Sequence, residues 1–283
     1  MLRLRFLLTL VLLVCPWVYS YGQLHFASVH GERGYAAMRG VGRLDLDNGL
    51  ILTPSGGYYR MSDSEEDKNG AIAKAALLAE YELTDNFRLA AGASYIPKKL
   101  GFQNVGYGIG GRYTLCYRCG IFKYPYIGVR VGQVRYRVDS DIRGAALENR
   151  FKTVSTGASV LAGGEMGRFL LQTQYDKVIK YNNEPSAGIM SNWTEIPFMT
   201  AVLQGFIRDV AAARLAYRTR WITPYAVYAR YRYQVGGGPA TAVAGGLALH
   251  VGLTTLTGGV EIFEPNREAN RKTYFSLSAS TEF

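Results

Sequence analysis

Beyond its first fifteen residues, the sequence has no uninterrupted apolar run of the roughly 18–20 residues that a membrane-spanning helix needs. Helical periodicity is nearly absent too, so helices are not the expected building element. Charged residues make up 19% of the chain, below the roughly 25% usual for soluble domains. Hydrophobic residues reach 48% while mean hydropathy is -0.03, so apolar and polar residues are finely interleaved rather than blocked. That mixture excludes disorder and an ordinary charged soluble surface. Proline is scarce at 9, and histidine and cysteine stand at 3 each. No linker, low-complexity tract or compositional break divides the chain, so one domain is expected.

The first residues read as an export signal. Arg3 and Arg5 form a basic start, "FLLTLVLLV" (Phe6 to Val14) is a short apolar segment, and cleavage fits after Ser20 or Gly22. A lipoprotein signal at Cys15 competes, but Val14 stands where a small residue is needed. Residues 1–22 are therefore set apart as a signal peptide, and 23–283 as the mature domain. Its loss lowers the formal charge of +10 by the two arginines, to +8. An exported chain without a spanning helix is either soluble or a β-barrel, because only helices and closed barrels satisfy their backbone groups inside lipid.

Period-two alternation runs from about residue 35 to the end. In "AKAALLAEYEL" Ala73, Ala75, Leu77, Ala79, Tyr81 and Leu83 alternate with a mixed face, and "FRLAAGASY" repeats the pattern after the turn "TDN". Short connections are expected at residues 47–49, 84–86, 116–120, 164–168, 208–212 and 254–257. Longer polar ones are expected at 62–70, 97–104, 139–150, 182–195, 235–241 and 264–270. Alternation of short turns with long loops is the layout of a transmembrane barrel. These twelve connections give thirteen strands, and "QLHFASVH" supplies a fourteenth to reach an even number. The expected fold class is thus all-β, a transmembrane antiparallel up-and-down β-barrel of about fourteen strands. Twelve remain if "GGVEIF" is not a strand of its own.

The segment "RKTYFSLSASTEF" places Thr273, Phe275, Leu277, Ala279, Thr281 and Phe283 on one face. A last strand ending in Phe resembles the terminal signature of Gram-negative outer-membrane β-barrel proteins. With the signal peptide and the alternation, the resemblance extends over the whole layout, at the level of a superfamily. It implies residence in the outer membrane, contact with its lipid, and recognition of Phe283 by the barrel-assembly machinery. The layout is also similar to barrels of Bacteroidetes-type (type IX) secretion systems, which implies periplasmic or surface protein partners.

The tract "RLAYRTRWITPYAVYARYRYQ" (Arg214 to Gln234) has five arginines, six aromatics and no acid. Nucleic-acid binding pairs cations with stacking rings in this way. It does not require all five arginines to share one parity, as they do here, and an exported protein rarely meets nucleic acid; no nucleic-acid partner is expected. Read as one long strand, the tract puts Arg214, Arg218, Arg220, Arg230 and Arg232 on one side. Tyr217, Tyr225, Tyr231, Tyr233 and Trp221 then face lipid, while Tyr228 shares the arginine side. A lipid-facing Arg near midplane costs roughly 2–4 kcal/mol, so the arginine side is lumen or lies beyond the membrane. By the same parity Arg39, Arg43, Lys74, Arg88, Arg112 and Arg130 point inward, with Asp45, Glu80, Glu82, Asp176 and Glu282. Two readings of these charges stay open. One is a basic filter favouring anions, and the other is a salt-bridge ladder that closes the lumen. The inner face of Ala242–Leu253 is small, which leaves room there.

The favoured function is a porin-like channel or transporter for small polar solutes, anions among them. The alternative is a structural component of a secretion or surface-anchoring assembly. A lipid-acting barrel enzyme is less favoured: His250 faces inward, but no histidine sits in a recognisable Ser- or Asp-bearing motif. No enzymatic activity, catalytic residue, cofactor or metal site is expected. Cys116 and Cys119 in "LCYRCG" fall in a turn, where an oxidising compartment suggests a disulfide, with free thiols as the other state. A βαβ context for redox chemistry is missing, and Gly120 stands where haem attachment needs His. "NWT" at Asn192 matches a glycosylation sequon that has no meaning in a bacterial outer membrane.

Overall fold

Alternating side chains with few prolines favour strands, and the computed structural model is built of them. It describes residues 26–27, 29–30, 36–46, 49–61, 70–99, 102–138, 151–182, 199–200, 207–233, 239–264 and 272–282. Residues 1–25, with the expected signal peptide, Phe283 and the loops between these ranges lie outside the described residues.

Thirteen long strands follow in chain order: β1 (Ala36–Leu46), β2 (Leu50–Met61), β3 (Gly70–Thr84), β4 (Phe87–Lys99), β5 (Phe102–Thr114), β6 (Phe122–Val138) and β7 (Phe151–Met166). Then come β8 (Phe169–Tyr181), β9 (Ile207–Tyr217), β10 (Ile222–Tyr233), β11 (Ala240–Val251), β12 (Thr254–Glu264) and β13 (Lys272–Glu282). Each strand pairs antiparallel with the next. The ladder then returns to its start, because β13 pairs with β1, Leu277 opposite Met38 through Glu282 opposite Arg43. That last pairing is parallel, as geometry demands when an odd number of alternating strands closes.

Among the described residues, the expected fourteenth strand is represented by two two-residue fragments. Of "QLHFASVH", Val29 and His30 pair antiparallel with Phe275 and Tyr274 on the loop end of β13. Phe26–Ala27 instead pairs parallel with Met199–Thr200. The edge of β13 is thus shared between this fragment and β1, and β1 takes the place that a complete fourteenth strand would fill.

The turns lie where expected at one end of the barrel, with exceptions. Residues 208–212 are strand, and the turn falls at 218–221 instead. Here Thr219 replaces the usual Gly or Asn: its Oγ1 accepts from the Ile222 amide at 3.1 Å and donates to the Ile222 carbonyl. The turn expected at 254–257 is the pair Gly252–Leu253, with Gly252 at φ 62, a conformation that glycine adopts without steric cost. The expected loop at 97–104 shrinks to residues 100–101. Pro97, which has no N–H to donate, sits in a register shift between Ile96 and Lys99.

The turn at 218–221 reverses parity within the arginine tract. Before it, Arg214 and Ala216 face inward. After it, Thr223, Val227, Ala229 and Tyr231 are the buried, inward residues, while Tyr228 is 50% exposed. The tract is therefore a hairpin rather than one strand, and Arg230 and Arg232 face outward.

The parallel seam is directly testable. A Gly40→Cys, Ala279→Cys protein, with Cys116 and Cys119 changed to Ser, places two thiols on paired residues. Oxidation is expected to give an internal crosslink visible as a mobility shift; a complete strand between β13 and β1 would prevent it.

Candidate functional site

The inner face gathers charge on the β3–β9 side. Arg88 on β4 donates through one nitrogen to both oxygens of Glu82 on β3, at 3.2 Å each. Arg112 on β5 lies 5.2 Å over the ring of Tyr126 on β6. Arg130, also on β6, interacts electrostatically with Asp176 on β8 and with Glu80. Asp176 accepts from Gln174 Nε2 at 2.9 and 2.7 Å. Arg214 on β9 lies 4.9 Å over the ring of Tyr225 on β10. Arg112, Arg130 and Arg214 all act on Tyr126 electrostatically, so they converge on one region.

Glycine makes the space for these rings. A Cβ on Gly163 would come within 2.6 Å of the Tyr126 hydroxyl, and one on Gly246 within 2.5 Å of the Tyr225 hydroxyl. Each glycine is the cross-strand partner of its tyrosine, Gly163 opposite Tyr126 and Gly246 opposite Tyr225. The rings therefore lie along the wall instead of standing across the lumen, and each offers its face to an arginine. Gly110 does the same for the stem of Arg130, opposite which it is paired. A cation over a ring is worth about 0.5–1 kcal/mol exposed and about 2 kcal/mol when desolvated.

Four of the arginines expected in the lumen, Arg88, Arg112, Arg130 and Arg214, are brought to this inner face. Arg218 and Arg220 are not. Both belong to the turn at 218–221, where Arg218 is ion-paired with Glu165 and Arg220 lies 4.9 Å over the Trp221 ring. The backbones of Arg39, Arg43 and Lys74 are in strands, but their side chains, with those of Asp45 and Glu282, lie outside the described ones. Four described inward arginines, on β4, β5, β6 and β9, thus face three carboxylates on β3 and β8, Glu80, Glu82 and Asp176, and Glu261 on β12 is a further buried inward carboxylate. The room expected along β11 is not open: Ala240 and Ala242 are fully buried and Ala248 is 1% exposed. Tyr225 fills the place that Gly246 leaves.

Tyr126, Tyr225, Gln172 and Gln174 belong to the site and were absent from the sequence-based set. Alternation put Tyr225 on the lipid side, an inversion caused by the missed turn at 218–221, and which glycine faces which tyrosine depends on register across strands. Gln172 Nε2 reaches the Tyr126 hydroxyl at 3.4 Å. At the turn end His250 sits between two hydroxyls, Nε2 at 2.9 Å from Thr223 Oγ1 and Nδ1 at 2.9 Å from Thr255 Oγ1. Cys116 and Cys119 are joined as a disulfide in the β5–β6 turn, with Cα atoms 6.1 Å apart. Among the described residues, no group of three or more metal-ligating side chains comes together.

The outward face is apolar. Ile109, Ile127, Val129, Val131, Leu247 and Val251 are exposed on it. Tyr113, Tyr117, Tyr124, Phe169 and Trp221 lie on its turn end, and Tyr95, Tyr107, Tyr175 and Tyr228 toward its loop end. An apolar band between two aromatic girdles matches the hydrocarbon core and its interfaces. This is a transmembrane β-barrel. No family model and no curated protein matches the chain. Among solved structures it is similar to the Pseudomonas putida toluene transporter TodX, with a TM-score of 0.45 and 12% identity over 83% of this chain and 78% of that one. It is also similar to the CymD monoaromatic hydrocarbon channel, with a TM-score of 0.47 and 10% identity over 92% and 90%. The β domain of the Bordetella autotransporter BrkA gives 0.38 and 14% over 88% and 98%. The barrel assignment stands on this chain's own strand pairing and outer face.

Two outcomes follow for the site. Gly163→Ala is expected to destabilise the barrel by about 1–3 kcal/mol through overpacking. Part of that cost should disappear in a Tyr126→Ala background, giving a coupling of about 1 kcal/mol in denaturant unfolding; additive costs would show that the ring does not rest on Gly163. The disulfide closes a loop of only a few residues and so constrains the unfolded chain little, and Cys116→Ser, Cys119→Ser should lower stability by no more than about 2 kcal/mol.

Proposed function

We propose that the protein resides in the bacterial outer membrane and passes small polar solutes, anions among them, through its lumen. The observation that carries this reading is the inward cluster of Arg112, Arg130 and Arg214 in a barrel whose outer face is apolar. Ionised side chains of both signs need water or a polar solute beside them. A passage narrowed by such groups disfavours apolar molecules and favours solutes that can replace those contacts. The cluster is the constriction, and Arg130 with Asp176 is its gatepost.

A second reading is a structural barrel within a secretion or surface-anchoring assembly. The Arg88–Glu82 ion pair and the near balance of inward charges favour it, because paired charges hold a lumen closed.

Purified protein in a planar bilayer separates the two. Passage predicts discrete conductance with anion preference, and Arg130→Ala should lower the anion-to-cation permeability ratio at least about twofold, since Asp176 loses its counter-charge. Silence of both proteins overturns passage, and co-purification of periplasmic or surface proteins would then support the structural reading.

A further inference from the structure

The outward face carries a second concentration of charge that the lumen reading does not use. Toward the loop end of five adjacent strands, β6 to β10, outward basic residues cluster. Arg135, Lys152, Lys177, Arg230 and Arg232 are all exposed there. Across the strands they sit on neighbouring pairs, with Lys177 opposite Asp209 and Asp209 opposite Arg232. Asp209 is the one outward acid on these strands among the described residues. It is buried, with Arg232 Nε at 2.7 Å and Arg208 Nε at 3.9 Å. The next two strands, β11 and β12, offer Thr241, Val243, Ile262 and Glu264 at the same end, with no basic residue. Among the described residues of β6 to β12, the basic side chains at this end are thus confined to the arc β6 to β10.

Its height is set by the loop-end aromatic girdle. Tyr175 and Tyr228 face outward on β8 and β10, and Lys177 and Arg230 follow each by two residues on the same face. Arg135 lies 5.7 Å over the ring of Tyr107 and donates to its hydroxyl at 3.4 Å. Girdle tyrosines sit at headgroup depth. The basic residues therefore stand one outward step, about 7 Å of strand, further from the hydrocarbon. That is the level of lipid phosphates. Guanidinium and ammonium groups are matched donors for phosphate oxygens, and a Lys or Arg near an anionic lipid surface is attracted to it.

We propose that this arc, Arg135, Lys177 and Arg230 foremost, binds the phosphate groups of phosphorylated lipids in the leaflet at the loop end. Asp209 holds Arg232 and Arg208 in place within the arc. The site rests on the membrane reading of the barrel and not on passage through the lumen. A phosphate-bearing glycolipid suits it, because several cations spaced over neighbouring strands can engage more than one phosphate of one headgroup.

The test is native mass spectrometry of the full mature protein in neutral detergent, with a bisphosphorylated glycolipid, its dephosphorylated form, or inorganic phosphate added. Retention of the bisphosphorylated lipid alone supports the proposal. Arg135→Gln, Lys177→Gln, Arg230→Gln, which leaves the Asp209–Arg232 pair intact, should weaken it by about tenfold to a hundredfold. The charge-keeping Arg135→Lys, Arg230→Lys protein should retain it, which separates charge from misfolding. Equal retention of the dephosphorylated lipid, no effect of the Gln variant, or displacement by equimolar inorganic phosphate would each overturn the proposal. Failure of the unaltered protein to insert into neutral vesicles would instead overturn the membrane reading, a separate result.

Discussion

Closure of the backbone ladder is the constraint on which the rest of this structure depends. In lipid an unpaired N–H or C=O has no water to turn to, so a sheet with two free edges cannot remain there. Thirteen strands that each reverse direction leave the first and last running the same way, and the barrel closes through the parallel β13–β1 pairing. The chain solves its edge problem by register at one seam. Val29–His30 covers part of that seam from the loop end.

Closure also sorts every side chain into one of two environments. Outward positions in the band that meets hydrocarbon are largely valine, isoleucine and leucine, with tyrosines at its edges and charge only beyond them. Inward positions are free to be charged, and they are. Within the lumen, glycines opposite tyrosines let rings lie along the wall, which places arginines over ring faces instead of in mid-channel. Charge, aromatic and glycine are therefore one arrangement: removal of the glycine moves the ring, and the ring carries the cation.

Much of the architecture was legible from parity. Arg88, Arg112, Arg130, Arg214, Glu80, Glu82 and Asp176 were each assigned inward by alternation alone, and each is inward. The count of thirteen connected strands was also legible, although two of its turns were misplaced in ways that cancelled. The failure at Arg214–Gln234 is instructive. A turn made by Thr219 through its hydroxyl has no Gly, Pro, Asn or Asp to announce it, so the tract read as one strand. One missed turn inverted every residue after it and moved Arg230 and Arg232 from the arginine side, where they were expected at or above the rim, to the outer face. The same inversion had turned Tyr225 toward lipid, whereas it pairs with inward Gly246; Tyr126 was missed for a different reason, since its importance lies in the residue across from it.

The sequence by itself determined that the chain forms long strands with one apolar and one mixed face, because period-two alternation is a local property of the backbone. It determined equally which residues share a face between two correctly placed turns. Tertiary structure alone decided how the barrel closes, which glycine lies under which ring, and whether the inward charges stand open or paired. Those are facts of register between strands distant in sequence, and register is set by the pairing of whole strands rather than by any residue's own preference.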